Sequence, residues 1–343
     1  MKLLKTVVFF LSISVSVMAQ PIEIIDNQVA HFQLKDKNND IDFLVFDTVF
    51  NIKKPILLYC QGSTPVPLCI DYGTNVRFGA GVSGFDIPNI QKQYHLVVIS
   101  KPETPIKVPV YQLNKNNQYI TDKSDEHSFK ESFLRANYLE NYVDRANKVI
   151  QYLLQQSWVD NNKVVVFGHS EGVHVASAIA ATNNAVTCLG LGGANIFGRI
   201  DEMLRLERKR AETKDITWEM AEQNMNFWYQ LWENANNPDS VAEHPDLLSW
   251  KSFSRPTFED LLKVDIPIYV VYGTNDITAE LCDLLPLIFI NHGKKNLTMK
   301  RYFGFDHSFN LFDENSNLKE SSWTEMMNAF VAWSLECDNY IKK

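Results

Sequence analysis

Short apolar runs without polar alternation recur along the chain and form the main structural pattern in the sequence. They occupy residues 55–60, 96–99, 163–167, 186–189, 267–272 and 297–302. Such runs predict strands that are covered on both faces, as in a parallel sheet. Residues 22–25 and 42–46 predict two further short strands, separated by the polar residues 35–40.

Helical periodicity fills several of the gaps between these predicted strands. Residues 133–154 place apolar side chains at three- and four-residue steps, and similar patterns cover 173–181 and 323–341. These steps put the apolar side chains on one face of a helix. Strands that alternate with helices predict an α/β protein with a mostly parallel central sheet and helices on both faces.

Residues 196–260 interrupt the alternation, because they are helical, charged and aromatic and contain no strand pattern. We therefore predict a helical cap inserted into a core formed by residues 20–195 and 261–343. Trp228 and Trp232 are spaced as on one helix, and we predict that they contact substrate. The alternative is that these rings only pack the cap onto the core. The basic cluster at residues 205–210 predicts a solvated helix face.

Residues 1–19 have the pattern of a signal peptide. Lys2 and Lys5 precede an apolar stretch, and Val17 and Ala19 supply small residues before a cleavage point. The pattern predicts an exported protein, periplasmic or secreted, cleaved near Ala19. An uncleaved anchor is the alternative. No other apolar run reaches the ~20 residues of a membrane span, so we predict no stable membrane insertion after removal of the signal.

Composition excludes some classes of partner and cofactor. The formal net charge is −8, or −10 without Lys2 and Lys5, so there is no basic excess to neutralise nucleic-acid phosphates. The five cysteines are too few for a disulfide scaffold. Cys60 and Cys69 could pair, and the alternative is that Cys60 and Cys188 are small buried apolar residues on strands. No set of histidine, cysteine and carboxylate residues has metal-ligand spacing, and we predict no metal and no cofactor.

The strongest chemical signal is Gly168-His169-Ser170-Glu171-Gly172, which lies between the predicted strand 163–167 and the predicted helix 173–181. A strand, a tight turn with a serine at its tip and a helix form a nucleophile elbow, in which flanking glycines allow close approach. The pattern predicts that Ser170 is a nucleophile. The alternative is a serine in a buried turn.

A serine hydroxyl needs a base to remove its proton, and the base needs an orienting acid. Asp276 follows the predicted strand 267–272, and His307 follows the predicted strand 297–302. Ser170, Asp276 and His307 therefore occur in the order expected for a triad on one sheet edge. Preorganised donors for an oxyanion are predicted at the main-chain N–H groups of Glu171 and Ser63.

These motifs resemble those of the α/β-hydrolase superfamily. The residues that carry the resemblance are Gln61-Gly62, the pentapeptide at 168–172, Gly273-Thr274-Asn275-Asp276 and Gly304-Phe305-Asp306-His307. Glu171 and the sequence Asp-His-Ser-Phe at 306–309 resemble the prolyl-oligopeptidase and dienelactone-hydrolase-like branch. The resemblance implies a serine hydrolase that cleaves a carboxylic ester or related acyl bond of a small molecule through an acyl-enzyme. A small-peptide or aminoacyl hydrolase, an acyltransferase and a non-catalytic binding module are alternatives on the same fold.

Overall fold

The computed structural model describes residues 20–37 and 39–337, so the predicted signal peptide 1–19 lies outside the described residues. The strands are β1 Glu23–Ile25, β2 Val29–Leu34, β3 Ile41–Phe46, β4 Lys54–Cys60, β5 Cys69–Asp71, β6 Val76–Phe78, β7 His95–Ile99, β8 Lys107–Pro109, β9 Val159–His169, β10 Cys188–Gly192, β11 Ile268–Gly273, β12 Leu297–Tyr302, β13 Asn310–Phe312 and β14 Leu318–Ser321. The helices are α1 Ile87–Gln91, α2 Glu131–Ala136, α3 Leu139–Leu153, α4 Gly172–Thr182, α5 Arg199–Glu212, α6 Trp218–Asn236, α7 Pro238–Glu243, α8 Leu247–Phe253, α9 Phe258–Leu262, α10 Leu285–Asn291 and α11 Trp323–Glu336.

Nine strands form the central sheet in the order β1-β2-β3-β7-β4-β9-β10-β11-β12. The pairs from β1 to β7 are antiparallel, and every pair from β7 to β12 is parallel. The carboxyl ends of the parallel strands therefore meet at one edge of the sheet. The register pairs Cys60 with Gly168, His169 with Gly192, and Gly273 with Tyr302 along that edge.

Apolar side chains bury both faces of this sheet, which is why its central strands lack polar alternation. One core contains Ile56, Val166 and Ile150 of α3, while the other contains Leu57, Val165 and Phe330 of α11. Successive residues of β4 and β9 point into opposite cores, as the pleat requires. The predicted mostly parallel α/β architecture is confirmed.

Some elements differ from the predicted ones. Strand β2 was not predicted because its sequence mixes polar and apolar residues, yet it pairs between β1 and β3. The periodic stretch 133–154 is two helices, since Tyr138 is extended (φ −146°, ψ 154°). A small sheet of order β6-β5-β8 also escaped prediction, because its strands have only three residues each.

Helices α5 to α9 lie between β10 and β11, and the structure contains no strand from Arg199 to Leu262. Helix α5 packs on α6, and α8 packs on α3 of the core as well as on α6. We keep the name cap for residues 196–260. Across the described ranges, no helix has the length and apolarity that crossing a membrane would require.

Cys60 and Cys69 do not form a disulfide with each other, a pairing that the sequence had left open. Both thiols are buried and unbonded, and they belong to different cores of the sheet. Cys188 of β10 instead forms a disulfide with Cys337, with their Cα atoms 6.5 Å apart. The disulfide therefore attaches the end of α11 to the central sheet.

Candidate active site

Ser170 stands at the tip of the turn between β9 and α4 with a left-handed backbone (φ 57°). A side chain at Gly168 would place its Cβ 2.1 Å from the carbonyl oxygen of Gly172. A Cβ at Gly172 would lie 2.0 Å from the carbonyl oxygen of Cys60. Only glycine permits these approaches, and the strained serine backbone has the form of a nucleophile elbow.

Asp276 and His307 form a hydrogen-bonded pair at the same sheet edge. Nδ1 of His307 lies 2.8 Å from Oδ2 of Asp276, and the N–H of Thr278 donates to Oδ1 of Asp276 over 3.0 Å. Burial disfavours a charged imidazole, but the hydrogen bond and the charge of Asp276 outweigh it, so the pKa of His307 is raised. The arrangement leaves Nε2 of His307 available for proton transfer.

Residues at the end of β10 contact both the Ser170 turn and the Asp276–His307 pair. The N–H of Ser170 donates to the carbonyl of Gly192 over 3.1 Å, and a Cβ at Gly193 would lie 3.0 Å from the His307 ring. Within residues 20–37 and 39–337, however, the Ser170 hydroxyl forms no hydrogen bond, including to His307. The serine–histidine contact of a triad is thus not made in this structure.

The two predicted oxyanion donors flank the serine. A Cβ at Gly62 would lie 3.7 Å from Cβ of Ser170, which places the loop after β4 against the nucleophile turn. Gln61 fixes this loop, because its Nε2 donates to the carbonyl of Ile99 over 2.7 Å. Among the described residues, neither the Ser63 N–H nor the Glu171 N–H donates to another group.

The sequence did not predict the role of the Glu171 side chain. Its buried carboxylate pairs with Lys101, which follows β7 and lies 2.8 Å away. It also pairs with Arg199 at the start of α5. Burial raises the pKa of this carboxyl, but the two cations outweigh burial and hold it below its usual range. Burial also lowers the pKa of Lys101. The sequence gave no signal for this cluster, because Lys101 and Arg199 are far from Glu171 along the chain.

One cavity of about 670 Å³ opens between Ser170 and the cap. Its walls combine the nucleophile turn with aromatic and acidic residues, among them Ser63, Phe129, Phe133, Glu171, His174, Arg199, Glu202, Asp246 and Trp250. His174 is buried and hydrogen-bonds Thr257 of the cap over 2.8 Å. Burial and then the charge of Arg199 lower the pKa of His174 to about 3.

A second cavity of about 800 Å³ is lined in part by Gln61, Gly62 and Thr64 of the loop after β4. Neutral polar and aromatic residues dominate its walls, including Tyr59, Gly62, Tyr72, Asn116, Asn117, His169, Ser308 and Trp323, and Arg77 is its cation. Thr64 lines both cavities. The loop after β4 therefore contributes to the lining of both spaces.

Trp228 and Trp232 are not among the residues that line either cavity. The ring of Trp228 packs 5.2 Å from that of Trp250, which does line the cap cavity. Their predicted contact with substrate stays a prediction. In the part of the chain that the structure describes, no three histidine, cysteine or carboxylate side chains could hold a metal ion together.

No family model matches this chain, and no curated protein matches it in sequence. Solved structures are similar in fold. One from Klebsiella pneumoniae subsp. pneumoniae MGH 78578, provisionally assigned as a dienelactone hydrolase, has a TM-score of 0.54 at 10% identity. The similarity covers 90% of this chain and 98% of that one.

Two peptidases are similar as well. A provisionally assigned dipeptidyl aminopeptidase IV from Bacteroides ovatus ATCC 8483 has a TM-score of 0.53 at 13% identity, over 90% of this chain. The acylaminoacyl peptidase of Pyrococcus horikoshii has a TM-score of 0.53 at 11% identity, also over 90%. The chain spans only 36% and 42% of these two proteins. The sheet order and these similarities establish that the chain has the α/β-hydrolase fold.

Proposed function

We propose that this protein is a serine hydrolase that cleaves a carboxylic ester or related acyl bond. The observation that carries the proposal is the strained Ser170 turn at the same sheet edge as the hydrogen-bonded Asp276–His307 pair. The hydrolases among the similar structures support the reaction class. A left-handed serine backbone is energetically costly, and such strain clusters at functional sites.

In the proposed reaction, His307 takes the Ser170 proton as the serine oxygen bonds to the carbonyl carbon of the substrate. The N–H groups of Ser63 and Glu171 stabilise the resulting oxyanion. The intermediate then expels the leaving group, which receives the proton from His307, and an acyl ester of Ser170 remains. Water, deprotonated by His307, attacks this ester and releases the acid, and the proton returns to Ser170.

The mechanism requires a hydrogen bond from the Ser170 hydroxyl to Nε2 of His307. Catalytic hydrogen bonds often tighten only when substrate is bound. We propose that substrate binding closes this contact, with Asp276 holding the ring in the tautomer that presents a free Nε2. A fluorophosphonate probe, which mimics the acylating substrate, should label Ser170 in the folded protein.

The two cavities support a substrate with groups on both sides of the reacting bond. Thr64, in the loop after β4, lines both the cap cavity and the second cavity, whose walls include Trp323. One space would hold the acyl group and the other the leaving group. A panel of esters that vary the acyl and alcohol parts separately would assign each space, since variants of Trp250 and of Trp323 should alter different parts of the panel.

Cleavage of small peptides or aminoacyl amides is the second candidate, supported by the peptidases among the similar structures. Activity on aminoacyl amides that exceeds activity on matched esters would favour it.

Transfer of the acyl group to an alcohol or amine would appear as new products when such acceptors are added. A folded protein that neither reacts with fluorophosphonate nor hydrolyses the panel would be a binding module. The pattern of residues 1–19 supports export, and the mature N-terminus in a periplasmic or secreted fraction would test it.

A further inference from the structure

Helix α5 of the cap contacts two separate loops of the candidate active site. Arg199, Glu202 and Arg205 are three residues apart, and this spacing puts them on one face of the helix. Arg199 reaches the nucleophile turn, and Arg205 reaches the loop that carries Asp276. We propose that this face of α5 is a clamp that positions the oxyanion donor and the orienting acid relative to each other, a proposal that rests on the proposed function.

At the nucleophile turn, the guanidinium of Arg199 donates from NH2 to the carboxylate of Glu171 and from NH1 to Ser249 over 2.8 Å. It also lies over the rings of Trp250 and Phe253, at 5.3 and 5.0 Å. The Glu171 side chain is 3% exposed, so water screens this pair little. Since the N–H of the same residue is the proposed oxyanion donor, a fixed carboxylate fixes the donor.

At the acid loop, Arg205 donates from NH1 to the carbonyl of Ile277 and pairs with Glu280 at 3.1 Å. Its side chain is only 14% exposed, so the solvated face predicted for 205–210 is wrong at this position. Between the two arginines, Glu202 accepts from the hydroxyl of Thr278 over 2.8 Å. The N–H of Thr278 in turn holds Asp276.

These contacts join the cap to the catalytic loops through side chains that lose freedom on pairing. Charge-assisted bonds of a planar guanidinium fix direction as well as distance. Neither arginine is placed to exchange a proton with substrate in the mechanism above. Both are therefore positioning residues, and their removal should slow the chemical step more than it weakens substrate binding.

The test compares Arg199→Gln and Arg205→Gln with Arg208→Gln, a control on the same helix whose side chain is 66% exposed. We expect kcat for p-nitrophenyl ester hydrolysis to fall about tenfold in the first two with KM changed about twofold, and to stay within about twofold in the control. In a Glu171→Gln background, Arg199→Gln should cost under about twofold more, because its partner is gone. A full additional loss there, or an effect on KM alone, would overturn the proposal.

A second readout separates the clamp from the proposed function. Hydrogen exchange should quicken at residues 170–172 in Arg199→Gln and at 276–278 in Arg205→Gln, but at neither segment in Arg208→Gln. Unchanged exchange in both variants would overturn the clamp. If the wild-type protein hydrolysed no ester and bound no fluorophosphonate, the proposed function would fail while the exchange result still stood. Should either glutamine variant not fold, Arg199→Lys and Arg205→Lys, which keep the charge but lose the fork, carry the same comparison.

Discussion

The ring of His169 donates from Nε2 to the main-chain carbonyl of His307 over 2.9 Å. The residue before the proposed nucleophile thus holds the backbone of the proposed base. Burial and the neighbouring His307 lower the pKa of His169 to about 3, so its ring is neutral and can be a fixed donor at neutral pH. The edge of the ring packs on Trp323, with centroids 4.6 Å apart.

His169→Phe should keep the packing on Trp323 but lose this hydrogen bond. We expect kcat to fall about tenfold, since His307 would lose one of its restraints, while KM changes little. Steady-state kinetics on one ester measures both values. His292→Phe, at an exposed histidine, is the control and should match the wild type. Equal kcat in the two variants would show that the bond does not position the base.

Ser170→Ala should abolish fluorophosphonate labelling and lower kcat by about 10³-fold or more, because no acyl-enzyme can form. The control is Ser177→Ala on α4, a buried serine whose hydroxyl has no partner among the described residues. That variant should label and turn over like the wild type. Retention of full ester hydrolysis by Ser170→Ala would reject the assigned nucleophile.

The pH dependence of kcat/KM should change when Asp276 is replaced. The base must be neutral, so kcat/KM rises with pH through the raised pKa of His307. In Asp276→Asn, the imidazolium loses its stabilising charge, the pKa of His307 falls, and the acid limb moves to lower pH. The maximum rate should also fall by about 10³-fold or more, because the ring loses its tautomer. An acid limb that stayed in place would point to a different titrating group.

Stability should decrease in mild acid because of His174. Its pKa drops from 6.5 to about 3 on folding, so between these values the unfolded chain binds a proton that the folded protein excludes. The free energy of unfolding should therefore decline as pH falls from 6.5, by up to ~1.4 kcal/mol per pH unit for one such histidine. Urea titrations at several pH values measure this slope. His174→Asn should reduce the slope and leave the contribution of His169, whose pKa is likewise lowered to about 3, even if that variant is less stable at pH 7.

The cap tryptophans should differ in their effect on selectivity. Trp250 lines the cap cavity, so Trp250→Ala should raise KM by about tenfold for esters with a bulky group in the part that this cavity holds, and should alter KM little for esters with a small group there. Trp228 contacts Trp250 from behind, so its removal should have a smaller effect of the same kind. Trp232→Ala, measured on the same panel, tests the contact predicted from sequence. Equal losses in all three variants would indicate that the rings only stabilise the cap.

The central sheet could be predicted because its strands are buried on both faces, which leaves continuous apolar runs. The turn at residues 168–172 could also be predicted from its own sequence. Backbone atoms lie so close to Gly168 and Gly172 that no side chain fits at either position. Asp276 and His307 were found because each follows a strand of that sheet. Local sequence determines these features.

Features that depend on contacts between distant segments could not be predicted. Arg199, Glu202 and Arg205 look like the charged face of any solvated helix, and nothing near Glu171 in sequence shows that Lys101 approaches it. Trp250 lines the cap cavity, and Trp228 packs against Trp250 without lining the cavity. The packing of α8 on α6 determines this difference. The strand β2 relies on its neighbours rather than on its own pattern.

The cap supplies part of the lining of the cavity at Ser170 and none of the lining of the second cavity. The cap that covers one lies between β10 and β11, whereas the other is walled largely by segments that follow β4. Substitutions of cap residues therefore leave the lining of the second cavity unchanged. Selection could therefore tune recognition of one half of a substrate without retuning the other half. On the proposed function, the cap would then vary one specificity while the reaction at Ser170 stays the same.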